Sequence, residues 1–181
     1  DAMGEAVLPA GLSLIEDPLR PRIAGSRPFD GEGLAAAPRP VVEDGVLTRW
    51  ILDLATARKL GMESTANASR GTSAPPSPAV SNIALTQGTE SREALIAEMG
   101  TGLLVTSMIG STINPTTGDY SRGASGFWVE AGEIAYPVNE CTVAGNLREM
   151  LRRIRPANDA REHLSRVVPS LLVEGLTIAG E

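Results

Sequence analysis

The stretch from Gly118 to Glu130 gathers the residue types best able to act on another molecule. It reads Gly-Asp-Tyr-Ser-Arg-Gly-Ala-Ser-Gly-Phe-Trp-Val-Glu and holds three of the chain's six aromatic residues. Asp119 and Arg122 are spaced to pair with each other or to grip a passing backbone. Tyr120 and Ser121 add hydroxyls. Gly123 lets another main chain come close, because glycine carries no Cβ. Asp119, Tyr120, Ser121, Arg122 and Gly123 are therefore candidate binding or interface residues. The stretch is expected as a loop feeding a buried strand at Phe127-Trp128-Val129. A structural role fits the same residues: an Asp–Arg pair that locks the loop, glycines that make turns, and aromatics that fill a core.

The counts exclude much other chemistry. The chain has one histidine, His163, and one cysteine, Cys141. A zinc site of the usual His/Cys kind needs more than one of each, or must lean on carboxylates. A Ser-His-Asp or Cys-His arrangement would have to use His163. That residue sits in Arg-Glu-His-Leu-Ser-Arg, a segment that reads as solvent-facing surface. One cysteine also rules out an internal disulfide and suits a reducing, cytoplasmic compartment. Net charge is −6, and no basic run exceeds Arg152-Arg153, so no nucleic-acid footprint is present. No unbroken apolar run approaches the length of a membrane span. The chain begins at Asp1 without a signal-like segment and reads as a piece of a longer protein.

The elements that must position these groups follow from the turn signals. Aromatics make up 3% of the chain, so its core must come from Leu, Ile, Val, Ala and Met. Residues 1–11 read as a frayed lead-in. Leu12–Ile15 is a strand. Asp44-Gly45 turns a hairpin between Pro40–Val42 and Val46–Leu52. Asp53 caps a helix that Gly61 ends. Residues 63–82 form a long polar loop containing Asn67 and Arg70, a length that is uncommon inside a compact domain. Ile83–Leu85 is a strand. A helix starts at Thr89 or Ser91 and closes at Gly100. Leu103–Thr106 is a buried strand, followed by a loop from Gly110 to Thr117. Ala131-Gly132 turns a second hairpin, and Pro137 ends its regular pairing or places its return strand at an edge. Asn146 opens a third helix. Ser170–Val173 and Leu176–Ile178 are expected to form a last hairpin. The class is α+β: a mainly antiparallel, curved or barrel-like sheet with about three short helices.

Several long motifs resemble one family. They are Glu98-Met-Gly-Thr-Gly-Leu-Leu-Val105, Thr117-Gly-Asp-Tyr-Ser-Arg-Gly-Ala-Ser-Gly-Phe-Trp-Val-Glu130, Gly132-Glu-Ile-Ala-Tyr-Pro137 and Ala144-Gly-Asn-Leu147. Shorter matches are Pro28-Phe-Asp-Gly-Glu-Gly33, Ala57-Arg-Lys-Leu-Gly61 and Leu176-Thr-Ile-Ala-Gly180. The chain from about Leu12 onward resembles the C-terminal domain of the PmbA/TldE branch of the TldD/PmbA family, long labelled modulators of DNA gyrase. The resemblance implies an N-terminal domain ahead of this piece. It also implies a cytosolic metallopeptidase system that processes unfolded peptides. TldD-type subunits carry a His-Glu-x-x-x-His helix and a cysteine near the C-terminus, and TldE-type subunits pair with them without those ligands. Residues 157–175 contain no cysteine, so this chain resembles the TldE type.

The expected role is then a non-catalytic partner subunit. It binds no cofactor itself, and a zinc-type metal belongs to a TldD-like partner. Asp119, Tyr120, Ser121, Arg122 and Gly123, with Asn67 and Arg70 of the polar loop, become candidate peptide-binding or interface residues. A homodimer is a further possible assembly. Two other readings stand beside this one: a peptidase active in its own right through Ser or Asp, and a regulatory protein acting on gyrase.

Overall fold

The structure is a computed structural model that describes residues 2–180, and the side chain of Ser111 is not among what it describes. In chain order the elements are β1 (Leu14–Glu16), β2 (Arg39–Glu43), β3 (Val46–Leu47), α1 (Leu54–Leu60), β4 (Ala68–Ser69), β5 (Ser77–Pro78) and β6 (Ile83–Leu85). Then come α2 (Arg92–Met99), β7 (Gly102–Ile113), β8 (Asp119–Glu130), β9 (Glu133–Asn146) and α3 (Leu147–Arg152). The last four are β10 (Arg155–Pro156), β11 (Arg166–Val167), β12 (Leu171–Leu172) and β13 (Thr177–Ala179). They fall into two compact units, Asp1–Thr86 with Ala160–Pro169, and Gln87–Asp159 with Ser170–Glu181.

The first unit holds a five-stranded sheet in the order β11-β6-β1-β2-β3. Only the β11–β6 pair among the described strands is parallel. Asp44 and Gly45 turn β2 into β3 with φ of 48° and 81°, the left-handed geometry of a two-residue hairpin. The segment expected as a frayed lead-in is hydrogen-bonded to this hairpin. The Gly4 amide donates to the Leu47 carbonyl at 2.9 Å and the Val7 amide to the Gly45 carbonyl at 2.8 Å. The Asp53 carboxylate accepts the Thr56 amide at 2.7 Å and starts α1, and Gly61 stops it at φ 66°.

Buried Asp30 organises the turn after Phe29. Its carboxylate accepts the amides of Glu32, Leu34 and Ala68 at 2.9–3.0 Å. Burial pushes its pKa up, but those amide donors and the nearby Arg27 charge outweigh burial and hold it below the ordinary aspartate value. A depressed folded value means the stabilisation is fully present above the unfolded pKa, about 3.9. It is lost as pH falls through the folded value. Asp30→Asn is therefore expected to lower stability at neutral pH and to flatten the acid limb below about pH 4. Urea unfolding at neutral and acid pH measures both. An acid limb as steep as that of the parent chain would remove Asp30 from it.

The second unit is built on a four-stranded antiparallel sheet in the order β13-β9-β8-β7. Ser91 caps α2 by accepting the Ala94 amide at 3.1 Å. The helix buries Leu95 to 4% exposure, which contributes about 2 kcal/mol. Ala131 and Gly132 turn β8 into β9 with φ of 50° and 80°. Asn146 caps α3.

Three expectations are corrected here. The described sheets do not close into a barrel. Closure requires the two end strands to pair, and β13 and β7 do not. β7 runs on to Ile113 rather than yielding to a loop at Gly110, and of Leu103–Thr106, expected to be buried, the first three are half-buried and Thr106 is exposed. Ser170–Val173 and Leu176–Ile178 form no hairpin: β12 pairs with β10, and β13 with β9. Leu176 packs onto the core of Ala124, Cys141 and Val143, and burying it draws β13 onto β9. Pairing does not end at Pro137, since β9 runs on to Asn146, and at that residue only β8 pairs with β9 among the described strands, which is the edge position.

Candidate functional site

The run of candidate residues from Asp119 is strand, not loop. All of β8 is paired, to β7 on one side and β9 on the other. The loop ends at Gly118, whose φ of 85° is the left-handed conformation that suits glycine. Pairing sends alternate side chains to opposite faces. Asp119 and Arg122, three apart, therefore face away from each other and form no ion pair. Asp119 accepts the Thr117 hydroxyl at 2.7 Å.

Tyr120, Arg122 and Ala124 share one face. Their cross-strand neighbours there include Val143, Cys141 and Met108. The Tyr120 hydroxyl meets the Met108 sulfur at 3.4 Å, and the Cys141 thiol donates to the Ala124 carbonyl at 3.0 Å. Arg122 Nε is buried without a hydrogen-bond partner among the described residues. Asp119, Ser121 and Gly123 line the other face, across from Ile109, which is 74% exposed.

β7 ends the sheet, and no described strand pairs with its outer side. Beside it runs an apolar groove of about 280 Å³, lined among others by Leu95, Met99, Val105, Met108, Met150 and Leu172. Flexible methionines make such a lining adaptable to different side chains. Sequence reasoning missed the groove because its residues are scattered from Arg92 to Leu176. The one local signal was the Leu95, Ile96 and Met99 spacing on α2.

Asn67 and Arg70 lie in the other unit. Asn67 is buried, and its amide donates to both Glu16 carboxylate oxygens at 2.8 and 2.9 Å. Ser81 adds its backbone amide at 2.6 Å and its hydroxyl at 2.9 Å to Glu16 Oε1. Short pairing of β4 with β5 closes the polar loop behind Asn67. The Arg27 guanidinium donates to the Ala68 and Ala79 carbonyls, each at 3.2 Å. Arg70 stays exposed. Asn67 is thus engaged with its own chain, and Arg70 is presented to solvent.

The described residues do not fit a metal. No three His, Cys, Asp or Glu side chains among the described residues are grouped to hold one. His163 is exposed and Cys141 is buried. No helix among the described residues is long and apolar enough to cross a membrane.

Comparison with known proteins matches residues 1–180 to the PmbA/TldA metallopeptidase C-terminal domain. The chain is 41% identical over 182 residues to the metalloprotease PmbA of Escherichia coli, covering 100% of this chain and 38% of that protein. A solved structure from Bacteroides thetaiotaomicron, labelled a modulator of DNA gyrase, superposes with a TM-score of 0.87 at 31% identity, over 100% of this chain and 39% of that one. TldE from Thermococcus kodakarensis superposes with a TM-score of 0.83 at 25% identity, over 99% of this chain and 42% of that one. The chain therefore spans about two fifths of the length of these relatives.

Proposed function

The chain belongs to the TldD/PmbA metallopeptidase family, and from that premise we propose that it is the C-terminal part of a non-catalytic, TldE-type subunit. Its role is to pair with a metal-bearing TldD-like chain in the cytoplasm and to present unfolded peptide for cleavage. The observation that carries this reading is the open outer edge of β7 beside an apolar groove. An extended peptide adds to such an edge through main-chain hydrogen bonds, and alternate side chains enter neighbouring pockets. The main-chain bonds of that mode are made whatever the sequence, which suits unfolded chains, and the methionine-rich groove adapts to different side chains. Asp119, Ser121 and Gly123 on one face, and Tyr120 and Arg122 on the other, lie one strand in from that edge and act by holding β7 in place rather than by touching the peptide. Exposed Arg70, in the other unit, is a separate candidate contact for the partner chain or a peptide. The zinc-type metal is the partner's in this reading, as the likeness to the TldE branch implies.

Ile109→Lys tests the edge. A lysine on an edge strand opposes an added strand. The variant is expected to fold with unchanged stability, since exposed changes stay within about 0.5 kcal/mol. Binding of an unfolded peptide to the full-length protein with its partner is expected to fall roughly tenfold, about 1.4 kcal/mol. Unchanged binding would sink the edge mode. Metal analysis of each purified chain checks the division of labour, and robust peptide turnover by this subunit alone in excess chelator would make it a peptidase in its own right. The gyrase label of the Bacteroides structure favours a regulatory reading. Salt-sensitive DNA binding would support it against the −6 charge.

A further inference from the structure

A second cavity, of about 240 Å³, opens in the first unit, between the chain around Arg39 and Thr48–Leu52 and the segment Met62–Thr65. Its polar lining sets two guanidiniums, Arg39 and Arg49, and Trp50 beside the hydroxyls of Thr48, Ser64 and Thr65 and one carboxylate, Glu63. Arg39 gives one nitrogen to the Thr65 carbonyl at 3.3 Å. Arg49 lines the cavity with no ion-pair or hydrogen-bond partner among the described residues, and its Nε is buried. A buried donor left without a partner costs about 1–3 kcal/mol and calls for an explanation. Trp50 adds an indole N–H and an apolar face.

The hydroxyls of the lining bond to nearby backbone, Thr48 donating to the Pro40 and Val41 carbonyls and Ser64 accepting from the Ala66 amide, and none is bonded to Arg49 among the described residues. Thr65 Oγ1 accepts the Leu52 amide at 2.8 Å and donates to the Leu52 carbonyl at 3.1 Å. Ser64 donates to the same carbonyl at 3.2 Å. These bonds also fix the wall of the cavity, so the site is preformed. Glu63 is the one acidic residue in the lining, and it is exposed. Two guanidiniums converging on one small cavity stand out in a chain of net charge −6.

We propose that this cavity binds the carboxylate of a small ligand or of a peptide terminus, held by Arg49 and Arg39 and packed against Trp50. Guanidinium forks match the planar carboxylate in two parallel hydrogen bonds. The volume lies just below the range of drug-sized sites, which limits the ligand to a short group. The proposal stands on the first unit alone and does not depend on the partner-subunit reading.

The test titrates the full-length protein with N-acetylglycine, N-acetylglycinamide and inorganic phosphate, following the Trp50 indole N–H by NMR. The signal lost in a Trp50→Phe variant assigns it. The free acid is expected to bind at roughly 1 mM, and the amide at least tenfold more weakly. Arg49→Met, which keeps the packing of the stem, is expected to abolish the shift. Glu63→Gln, which removes an exposed opposing charge, is expected to tighten binding about twofold. Should Arg49→Met fail to fold, Arg39→Lys carries the test, with a weakened shift as the expected result. Equal binding of acid and amide, preference for phosphate over the acid, or full binding by a folded Arg49→Met protein would each overturn the proposal.

Discussion

Gly126→Ala is expected to destabilise the chain by about 4 kcal/mol, placing it among the most damaging single-methyl changes. A Cβ at residue 126 would lie 1.9 Å from the Leu104 carbonyl oxygen and 3.1 Å from the Val105 Cα. Both are backbone atoms of β7, so no rotamer change relieves the clash. The two strands must part, and β7 is held only by β8 on that side. Gly123→Ala is the internal control. Its Cβ would meet nothing nearer than the Ile109 carbonyl oxygen at 3.6 Å, an ordinary contact. That variant is expected to unfold within about 0.5 kcal/mol of the parent. Urea midpoints of the two variants decide the matter. Equal midpoints would show that the glycines of this signature are not there for strand packing.

Asn67→Leu is expected to lower stability by about 3 kcal/mol, because it leaves a buried carboxylate short of donors. Glu16 is 5% exposed, and its Oε2 takes its hydrogen bond from the Asn67 amide alone. Leucine fills the space without answering the charge. Glu16→Leu in the Asn67→Leu background is expected to recover part of the loss, since removing both partners is gentler than removing one. Its coupling energy comes from a double-mutant cycle on urea unfolding. A loss under about 0.5 kcal/mol for Asn67→Leu would mean that Ser81 alone satisfies Glu16. Such an anchoring role explains a polar residue in this loop without any ligand. It leaves Arg70, not Asn67, as the residue of the loop presented to another molecule.

Local signals were legible in the sequence wherever the deciding energy is local. Asp53 and Gly61 bound α1, and Ser91 starts α2. Asp44-Gly45 and Ala131-Gly132 turn their hairpins. Each rests on a side chain bonding a nearby amide or on a left-handed φ, and neither needs a distant partner. The signature at Gly118–Glu130 misled for a related reason. Glycine, serine and an Asp–Arg pair carry the composition of a loop, while the alternation that marks a strand is hidden when half of its positions are small. Asp119 exposed, Tyr120 buried, and Ala124 and Gly126 buried again is a strand pattern that burial reveals.

By itself, then, the sequence determined the helix caps, the tight turns, the exposure of His163, the poverty of metal donors and the family. Only the tertiary structure decided that the signature is a central strand whose Asp119 and Arg122 face apart. It alone placed Leu176 and β13 on β9 rather than on β12, and gathered residues from Arg92 to Leu176 into one groove. The physical reason is range. Caps and turns are settled within about four residues, whereas strand partners are chosen by which apolar side chains can be buried together across the whole chain.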